Sequence, residues 1–454
     1  MVVSVVILAA GQGKRMYSKL PKVQHQLAGK PLLEHVIHAI QGALPKVSPV
    51  IVYGHGGESV REAFAHYPVK WVQQAEQLGT GHALLQALPE MPEEASALVL
   101  YGDVPLISTE TLKRLITTTP AGAVGFITAY LPDPTGYGRI QRDASHRVVG
   151  VVEEKEATPE EKRIQEINSG IYFLPAAYLK KWLPQLKNTN AQKEYYLTDI
   201  IACAVQENKL IHTVNPQVAE EVLGVNEKSQ LAYLERFYQY QQAKQLMQQG
   251  VTLMDPTRLD IRGEVNVGKD VSIDVNVILE GKVTLGSDCV IGPHVVLRNV
   301  VLGDRVEIRA HSLLDGAEVG ADSIIGPFAR LRPGSVLASK VHIGNFVEVK
   351  NSEIGESSKA NHLSYIGDSS VGKHVNIGAG TITCNYDGIN KHRTVIEDEA
   401  FIGSSTQLVA PVTVGRGAFI GAGSTITKNA PPQQLTLTRA KQQTVADWRS
   451  RSQK

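Results

Sequence analysis

The second half of the chain repeats an apolar residue at every sixth position, and this period constrains the fold more than any other feature. Unbroken runs begin at Ile261, Ile325 and Ile402, many repeating residues precede a glycine, and small or β-branched residues lie two positions before many of them. A period of six is a multiple of the two-residue repeat of a strand and fits a helix poorly. We therefore predict a parallel β-helix of hexapeptide repeats, with short strands joined at glycine turns.

The narrow bore of such a solenoid also explains an unusual composition. The 454 residues include 40 glycines but only 8 phenylalanines and 3 tryptophans. Small inward residues leave no room for large rings, and Cys289 falls on one of these inward positions. We expect Cys289 to fill the core, and three sextets per coil would give roughly nine coils between Ile261 and Ile426.

The six-residue step fails between Ile377 and Ile402. The polar segment at residues 381–393 is predicted to leave the solenoid as a loop. A loop on a rigid scaffold is a natural place for binding groups, and a solvated loop without a ligand is an equal alternative.

The first half of the chain alternates short, continuous apolar runs with amphipathic segments up to about residue 226. Continuous runs are typical of strands buried on both faces, so we predict a mostly parallel sheet between layers of helices. Ligands of such sheets bind beyond the carboxyl ends of the strands. A helix is predicted at 229–250, either as a linker between the halves or as a core helix of the first domain.

The charge balance and the cysteines bound the possible partners. Lys and Arg number 46 against 45 Asp and Glu, so no overall positive charge favours nucleic acid or a membrane surface. Three cysteines without metal-like or disulfide-like spacing favour a reducing compartment. No apolar run approaches the ~18 residues of a spanning helix. We expect a cytoplasmic protein without membrane insertion or nucleic-acid partner.

A glycine-rich turn directly follows the first predicted strand. It reads Leu8-Ala-Ala-Gly11-Gln-Gly13-Lys-Arg15, and Lys22 follows downstream. Such a turn exposes backbone N–H groups, and its cations can balance phosphate charge, which favours a triphosphate site. A plain turn with surface cations is the alternative. The turn matches neither the P-loop nor the dinucleotide-binding motif.

Two further segments support a nucleotide site. Asp103 follows a predicted strand in Tyr-Gly-Asp-Val-Pro, where its carboxylate can join Mg²⁺ to phosphate oxygens or merely cap a turn. The segment Gln74-Ala-Glu-Gln-Leu-Gly79-Thr80-Gly81 offers an amide and a glycine turn suited to the edge of a flat base.

These motifs resemble those of the sugar-1-phosphate nucleotidyltransferases. The solenoid adds the segments Arg330-Leu-Arg-Pro-Gly334, Asn345-Phe-Val-Glu-Val-Lys350, Asn361-His-Leu-Ser-Tyr365 and a long polar segment at 376–388. Together they resemble bacterial bifunctional enzymes that join an N-acetylglucosamine-1-phosphate uridylyltransferase to a glucosamine-1-phosphate N-acetyltransferase, and the resemblance covers nearly the whole chain.

The resemblance implies an α/β Rossmann-like nucleotidyltransferase domain followed by a left-handed parallel β-helix of hexapeptide repeats. The implied divisions are the uridylyltransferase domain at 1–228, a linker helix at 229–250, the acetyltransferase domain at 251–437 and a basic tail at 438–454.

The resemblance also implies two reactions. The second domain would acetylate glucosamine-1-phosphate from acetyl-CoA, and the first would transfer UMP from UTP to the product and release pyrophosphate. The resulting UDP-N-acetylglucosamine would feed peptidoglycan and lipopolysaccharide synthesis. Mg²⁺ in the uridylyltransferase site and a homotrimer through the β-helix are implied as well. The alternatives are a nucleotidyltransferase whose solenoid only oligomerises or regulates, and a solenoid scaffold with a degenerate nucleotide domain.

Carried over residue by residue, the resemblance assigns a uridylyltransferase site. Its nucleotide and sugar contacts are Leu8, Ala9, Ala10, Gly11, Lys22, Gln74, Gly79, Thr80, Tyr101, Gly102, Asp103, Gly138, Glu153, Asn168 and Asn226. Asp103 and Asn226 would hold Mg²⁺, while Lys22 and Arg15 would neutralise charge that develops on the phosphates. Lys14 departs from the family, which usually has a small hydroxyl residue at that position.

The resemblance assigns the acetyltransferase site in the same way. His362 is the proton acceptor, a role that suits an imidazole near neutral pH. The sugar-phosphate contacts are Arg332, Lys350, Tyr365, Asn376, Asn385 and Tyr386. The acetyl-CoA contacts are Ala379, Ser404, Ala422 and Arg439, with the Ser404 N–H as a candidate oxyanion donor. Glu348 either orients a reacting group or forms a surface ion pair.

Overall fold

The computed structural model describes residues 2–54, 57–446 and 448. The last part of the predicted basic tail, at 447 and 449–454, therefore lies outside the described residues. The chain forms two compact units, one ending at Tyr238 and the other beginning at Gln239. No helix among the described residues is long and apolar enough to span a membrane.

The first unit contains a mixed sheet and a small hairpin. Its strands are β1 (Val3–Ala9), β2 (Gln26–Leu27), β3 (Lys30–Pro31), β4 (Val50–Gly54), β5 (Lys70–Gln74), β6 (Ser96–Tyr101), β7 (Val124–Tyr130), β8 (Arg139–Arg142), β9 (Val148–Val152), β10 (Glu166–Pro175) and β11 (Ile211–Val214). Seven of the described strands follow the order β11-β7-β10-β6-β1-β4-β5, and the β8–β9 hairpin joins β10.

The central strands β6, β1, β4 and β5 are parallel, as the continuous apolar runs predict. Among the seven strands of this order, the exception is β10, which lies antiparallel between β6 and β7. The helices are α1 (Leu32–Ala43), α2 (Glu58–Ala63), α3 (Thr80–Ala87), α4 (Thr109–Thr118), α5 (Ala176–Trp182), α6 (Asp199–Gln206) and α7 (Lys228–Gln248). Two apolar clusters pack on opposite faces of β1, so the sheet is buried on both sides.

The second unit is built almost entirely of short strands. They are β12 (Thr252–Leu253), β13 (Leu259–Val267), β14 (Ser272–Ile273), β15 (Val277–Leu285), β16 (Val290–Ile291), β17 (Val296–Arg298), β18 (Val301–Leu302), β19 (Glu307–Ile308), β20 (Leu313–Asp315), β21 (Ala317–Val319), β22 (Ile324–Ile325), β23 (Arg330–Leu331), β24 (Ser335–Leu337), β25 (His342–Asn345), β26 (Glu348–Lys350), β27 (Glu353–Ile354), β28 (Lys359–His362), β29 (Tyr365–Gly367), β30 (Ser369–Val371), β31 (Asn376–Ile377), β32 (Ile382–Cys384), β33 (Thr394–Ile396), β34 (Phe401–Ile402), β35 (Gln407–Val409), β36 (Val412–Val414), β37 (Phe419–Ile420), β38 (Thr425–Ile426) and β39 (Leu435–Thr436).

These strands pair in parallel from coil to coil, which confirms the predicted parallel β-helix. In the described chain, nine successive pairings along one face lead from Ile261 to Ile426. Cys289 is fully buried among the inward residues, as predicted for a core filler. The bore is lined by aliphatic side chains, which the hexapeptide period places inside.

The coil length explains why the period of six is interrupted. Pairing advances 18 residues from Ile325 to Ile343 but only 17 from Ile343 to Ala360. The shorter coil has one residue fewer between Val349 and Ile354, which are successive inward positions. Between β32 and β33, the predicted loop leaves the solenoid at residues 385–393.

Helix α7 contributes to both cores. Its Leu234 is buried with residues of the first unit, and its Leu246 is buried in the solenoid core. Within the second unit, the Gln239 amide donates to the Ile261 carbonyl at 2.8 Å and accepts from the Ile261 N–H at 2.7 Å. The helix therefore pairs with one edge of β13 at Ile261, while the other edge of β13 pairs with β15.

Candidate active sites

The glycine-rich turn after β1 packs directly on the segment that carries Lys22. Gly13 has a left-handed backbone with φ of 59°, and a Cβ there would lie 2.9 Å from the Cβ of Lys22. A larger residue would therefore be strained and would displace Lys22. The glycine allows the turn and Lys22 to share one edge of the sheet.

Lys22, Asp103 and Asn226 meet at this edge. The Lys22 ammonium donates to the Asp103 carboxylate and, at 3.1 Å, to Oδ1 of Asn226. The side chains of Lys22 and Asp103 are each only 13% exposed. The Val225 N–H donates to the Asp103 carbonyl at 2.8 Å, which holds the segment before Asn226 against the end of β6. Three predicted site residues from distant segments thus form one polar cluster.

The other predicted phosphate-site residues differ in exposure. Ala10 is buried and Gly11 is exposed, so the turn presents its glycine to solvent. Arg15 is also exposed, and within the described chain it has no hydrogen bond or ion pair. The structure therefore groups Lys22, and not Arg15, with Asp103. Gln77, which the prediction did not assign, donates to the Ala10 carbonyl at 2.7 Å.

The predicted base-binding turn connects β5 to α3. Gln74 is the last residue of β5 and is only 2% exposed, and its Nε2 donates to the Gly79 carbonyl at 3.1 Å. Gly79 has φ of 109°, and a Cβ there would lie 2.7 Å from the Tyr195 carbonyl. Thr80 begins α3, and its hydroxyl accepts from the Leu197 N–H at 3.1 Å. These contacts hold the turn in place and keep the Gln74 side-chain amide buried within it.

The predicted sugar contacts converge on the β8–β10 region. The Asn168 N–H donates to the Gly138 carbonyl at 2.9 Å, and a Cβ on Gly138 would lie 3.6 Å from Oε1 of Glu153. Thr198, which the prediction missed, donates to Glu153 at 2.8 Å. The Asn168 amide donates to the Tyr172 hydroxyl at 2.7 Å. The antiparallel placement of β10 is what brings Asn168 to this group.

A cavity of about 300 Å³ opens beside Glu153 and is also lined by Glu156, Tyr196 and Asp199. Burial raises the pKa of Glu153, although the hydrogen bond from Thr198 opposes this shift. Burial also raises the pKa of Asp199. The Tyr196 hydroxyl is buried beside this cavity. This polar cavity can accept the hydroxyl groups of a sugar.

A buried arginine braces the loop that carries Gly138. Arg139 is 1% exposed, donates to the Tyr137 carbonyl and pairs with Glu154 at 2.7 Å. The same Glu154 oxygen accepts from the Gly136 N–H at 3.2 Å. The Tyr137 hydroxyl accepts from the Gly224 N–H at 3.3 Å. These bonds connect the sugar loop to the segment that precedes Asn226.

In the β-helix, His362 is paired with Asn345 on the adjacent coil. The two residues are register partners in β28 and β25, and His362 Nδ1 lies 2.9 Å from Oδ1 of Asn345. With the Asn345 amide oxygen assigned to face Nδ1, Nδ1 carries the proton and Nε2 is left as a proton acceptor. His362 is exposed, which leaves Nε2 accessible to a substrate.

The predicted phosphate-binding cations are both held by carboxylates. Arg332 pairs with Glu348 at 3.0 Å, and Lys350 pairs with Asp368 at 3.1 Å. Asp368, which the prediction missed, also accepts from the Asn385 amide. Burial opposes ionisation of Asp368, but hydrogen bonds from Asn351, Lys350 and Asn385 lower its pKa. The Glu348 ion pair is with Arg332 and not with Lys350.

The remaining sugar-site residues lie around these pairs. Tyr365 is the register partner of Glu348, and its ring packs over Gly367, where a Cβ would lie 2.4 Å from the hydroxyl oxygen. Asn376 is in β31, adjacent to β28. Tyr386 lies in the 385–393 loop, is exposed and forms a bridge with Lys391. The loop thus brings Asn385 to Asp368 and leaves the Tyr386 ring exposed.

The predicted acetyl-CoA residues form a row across successive coils. The Ser405 N–H donates to the Ala379 carbonyl at 2.7 Å, and the Gly423 N–H donates to the Ser404 carbonyl at 2.8 Å. Arg439 donates to the Ala422 carbonyl at 3.3 Å. In the part of the chain that is described, the Ser404 N–H donates to no carbonyl. It can therefore donate to a ligand.

Known protein families match both units. The MobA-like NTP transferase domain matches residues 5–250, and the GMPPB C-terminal domain matches residues 261–354. Six bacterial transferase hexapeptide repeats match residues 393–428. The first match ends just after α7, and the second begins within β13.

Curated relatives match almost the full length of the chain. The bifunctional protein GlmU of Methylococcus capsulatus is 57% identical over 450 residues, which cover 99% of this chain and 97% of that protein. The bifunctional proteins GlmU of Aromatoleum aromaticum and of Acinetobacter baumannii strain AYE are 55% and 54% identical, and each match covers 98% of both chains. The chain belongs to the GlmU family.

Within this GlmU chain, Asp103 and Asn226 are suited to a divalent metal. Both offer oxygen atoms that can coordinate a metal, and both already accept hydrogen bonds from the positively charged Lys22 ammonium. Mg²⁺ commonly takes one or two protein oxygens and completes its shell with water and substrate phosphates. No cluster of three or more His, Cys, Asp or Glu residues that could hold a metal occurs among the described residues. A shared protein–substrate site therefore fits better than a cage made only of protein.

Several residues of this GlmU chain reach the two sites without having been predicted. They are Gln77, Tyr137, Arg139, Thr198, Asn345 and Asp368. Gln77 and Asn345 lie inside motifs that the sequence displays, so the motifs could have indicated them. Thr198 and Asp368 lie outside those motifs. Thr198 reaches Glu153 from a distant segment, and Asp368 bonds Lys350 and Asn385 on the adjacent coils.

Proposed function

We propose that this GlmU chain makes UDP-N-acetylglucosamine in two steps at two separate sites. The β-helix acetylates glucosamine-1-phosphate from acetyl-CoA, and the first unit then transfers UMP from UTP to the product. The observation that carries the proposal is the presence, in one chain, of the part-buried Lys22–Asp103–Asn226 cluster and of the hydrogen-bonded pair of Asn345 with the exposed His362.

In the uridylyltransferase step, a phosphate oxygen of N-acetylglucosamine-1-phosphate attacks the α-phosphorus of UTP, and pyrophosphate leaves. Gln74 and the Gly79 turn hold the base, and Glu153, Gly138 and Asn168 hold the sugar. Lys22 lies where its ammonium can balance the charge on the phosphates. Asp103 and Asn226 would hold Mg²⁺, which supplies charge neutralisation to the phosphates when it is bound.

In the acetyl-transfer step, the amine of glucosamine-1-phosphate attacks the thioester carbon of acetyl-CoA, and CoA leaves as the thiol. His362 accepts a proton from the amine at Nε2, because Asn345 keeps the other nitrogen protonated. Arg332 and Lys350 bind the sugar phosphate, since a guanidinium and an ammonium suit a phosphate dianion. The Ser404 N–H stabilises the oxyanion of the intermediate.

We propose the predicted division of the chain into a uridylyltransferase domain, a linker helix, an acetyltransferase domain and a basic tail. We also propose that the protein is cytoplasmic and that its product feeds cell-wall synthesis.

We further propose a homotrimer formed through the β-helix. A ladder of stacked rings supports a protein contact at one edge of the solenoid. It consists of His294, His311, Phe328 and Phe346, with centroids 4.8, 4.8 and 5.3 Å apart. Phe328 and Phe346 are 48% and 56% exposed, and exposed apolar surface of this kind commonly binds protein.

An assay of both products tests the proposed function. The purified chain is supplied with Mg²⁺, UTP, acetyl-CoA and glucosamine-1-phosphate, and free CoA and pyrophosphate are followed together. Both products are expected, and pyrophosphate should depend on acetyl-CoA until N-acetylglucosamine-1-phosphate is supplied directly. Pyrophosphate release without CoA release would contradict the acetyltransferase half.

A further inference from the structure

Helix α3, which follows the base-binding turn, contains a histidine to which the proposed function gives no role. His82 lies in the first turn of α3, and its ring is tilted against Tyr195 with centroids 6.2 Å apart. Its Nδ1 is 3.1 Å from Nε2 of Gln74. Since Gln74 is proposed to read the base, this contact bears on which amide atom Gln74 can present to a nucleotide.

The orientation of the Gln74 amide is fixed by a carbonyl group. One amide atom of Gln74 lies 3.1 Å from the Gly79 carbonyl oxygen. A carbonyl oxygen can only accept a hydrogen bond, so this atom must be the amide nitrogen. The turn itself is held in place because the Gly81 N–H donates to the Tyr195 carbonyl at 2.8 Å.

The second hydrogen of the Gln74 amide is used by His82. One N–H of the Gln74 amide donates to the Gly79 carbonyl, and the other donates to His82 Nδ1. Nδ1 must therefore be unprotonated. The imidazole proton is on Nε2, which lies 3.2 Å from the Gln86 amide. To accept this proton at its oxygen, the Gln86 amide must turn and give up the 3.3 Å contact of its Nε2 with the His82 carbonyl oxygen, a longer contact than that of Gln74 with Gly79. In the described chain, Oε1 of Gln74 accepts no hydrogen bond.

We propose that His82 is a positioning residue that determines which pyrimidine the uridylyltransferase site accepts. By holding the Gln74 nitrogen, His82 leaves only the acceptor Oε1 for the base. Uracil and thymine have an N–H donor at N3, whereas cytosine has an acceptor there. This inference rests on the proposed function, in which Gln74 reads the base.

Binding of cytosine would require the Gln74 amide to turn over. Oε1 would then face the Gly79 carbonyl oxygen, which can only accept, and His82 Nδ1, which accepts in the tautomer that binds the Gln74 amide. Two hydrogen bonds would be lost and two like partial charges would be brought together inside a buried turn. A site with a fixed hydrogen-bonding pattern rejects ligands that cannot match it more strongly than a flexible site does.

The test compares UTP with CTP in four proteins. The kcat/KM with N-acetylglucosamine-1-phosphate is measured for the full chain and for His82→Phe, His82→Asn and Gln74→Leu, and CTP affinity is measured by calorimetry where turnover is too slow. His82→Phe keeps a ring against Tyr195 but removes the acceptor. We expect its preference for UTP over CTP to fall by about tenfold, the effect of one hydrogen bond. His82→Asn supplies an amide oxygen near the position of Nδ1 and should keep most of the preference.

The variants separate failure of this inference from failure of the proposed function. If Gln74→Leu keeps the full preference for UTP, Gln74 does not read the base and the proposed base site is wrong. If Gln74→Leu loses the preference but His82→Phe keeps it, the base site stands and the role of His82 is refuted. Equal loss in His82→Phe and His82→Asn would also refute it, since packing and not the acceptor would then be responsible.

Discussion

In the first unit the site residues reach one another from distant segments, whereas in the β-helix they are neighbours on adjacent coils. Lys22, Asp103 and Asn226 meet because three separate segments end at one sheet edge. Asn345 and His362 meet because parallel pairing places them opposite each other. The first site therefore depends on the path of its loops, and the second depends on the spacing of its coils.

The two sites also differ in exposure. Lys22 and Asp103 are nearly buried. Removal of one partner of a buried ion pair lowers the free energy of unfolding by about 3–5 kcal/mol. His362 is exposed and depends on one hydrogen bond for its orientation. We infer that a change in coil spacing affects acetyl transfer alone, and the following variants test this difference.

The largest effect is expected from Gly344→Ala. A Cβ on Gly344 would lie 2.0 Å from the Asn361 carbonyl oxygen, so the coils that carry Asn345 and His362 must move apart. A displacement of ~1 Å can lower a rate by about 100-fold, and we expect a loss of that order in CoA release. Pyrophosphate release from UTP and N-acetylglucosamine-1-phosphate is the internal control and should not change. Equal loss of both activities would contradict the predicted independence.

A smaller effect is expected from Asn345→Leu. Without the amide oxygen, His362 Nδ1 loses its acceptor and the imidazole loses its fixed orientation. We expect kcat for acetyl transfer to fall by about tenfold or more, as for other residues that orient a reacting group. Asn345→Asp is the matched control, because its carboxylate still accepts from Nδ1 and should retain more activity. If Asn345→Leu is as active as Asn345→Asp, the hydrogen bond does not orient His362.

The smallest effect concerns stability at the first site. Burial raises the pKa of Glu153 in the folded chain above that in the unfolded chain. The stability that the protonated Glu153 carboxyl contributes is fully present at pH values below its pKa in the unfolded chain. This stability is lost as the pH rises through its pKa in the folded chain. Glu153→Gln should therefore become more stable relative to the parent chain as pH rises across this window. Urea unfolding across the acid range measures this, and a difference that stays constant with pH would contradict the raised pKa.

Features that follow from a local pattern along the chain can be predicted from the sequence. A repeat is visible in one dimension, so the period of six predicts the parallel strands, the inward Cys289 and the loop between Ile377 and Ile402. The chain motifs also predict that Asp103 lies at a carboxyl edge, since a buried parallel strand precedes it. These features depend on local pattern alone.

Other features depend on packing that no local pattern specifies. The antiparallel β10 brings Asn168 beside Gly138, and Thr198 reaches Glu153 from a separate segment. Asp368 joins Lys350 to Asn385 only because the coil between them has a particular length. The loss of one residue in some coils also shifts the period, and a search for strict sextets cannot follow that shift.

We propose that one chain holds two independent sites linked by a diffusing intermediate. The most direct test measures UDP-N-acetylglucosamine formed from glucosamine-1-phosphate, acetyl-CoA, UTP and Mg²⁺ by Asp103→Ala and His362→Ala, separately and mixed. Each variant alone should make almost none, and the mixture should restore synthesis, because Asp103→Ala still acetylates and His362→Ala still uridylylates. If the mixture of folded variants remains inactive, the claim of two independent sites is wrong.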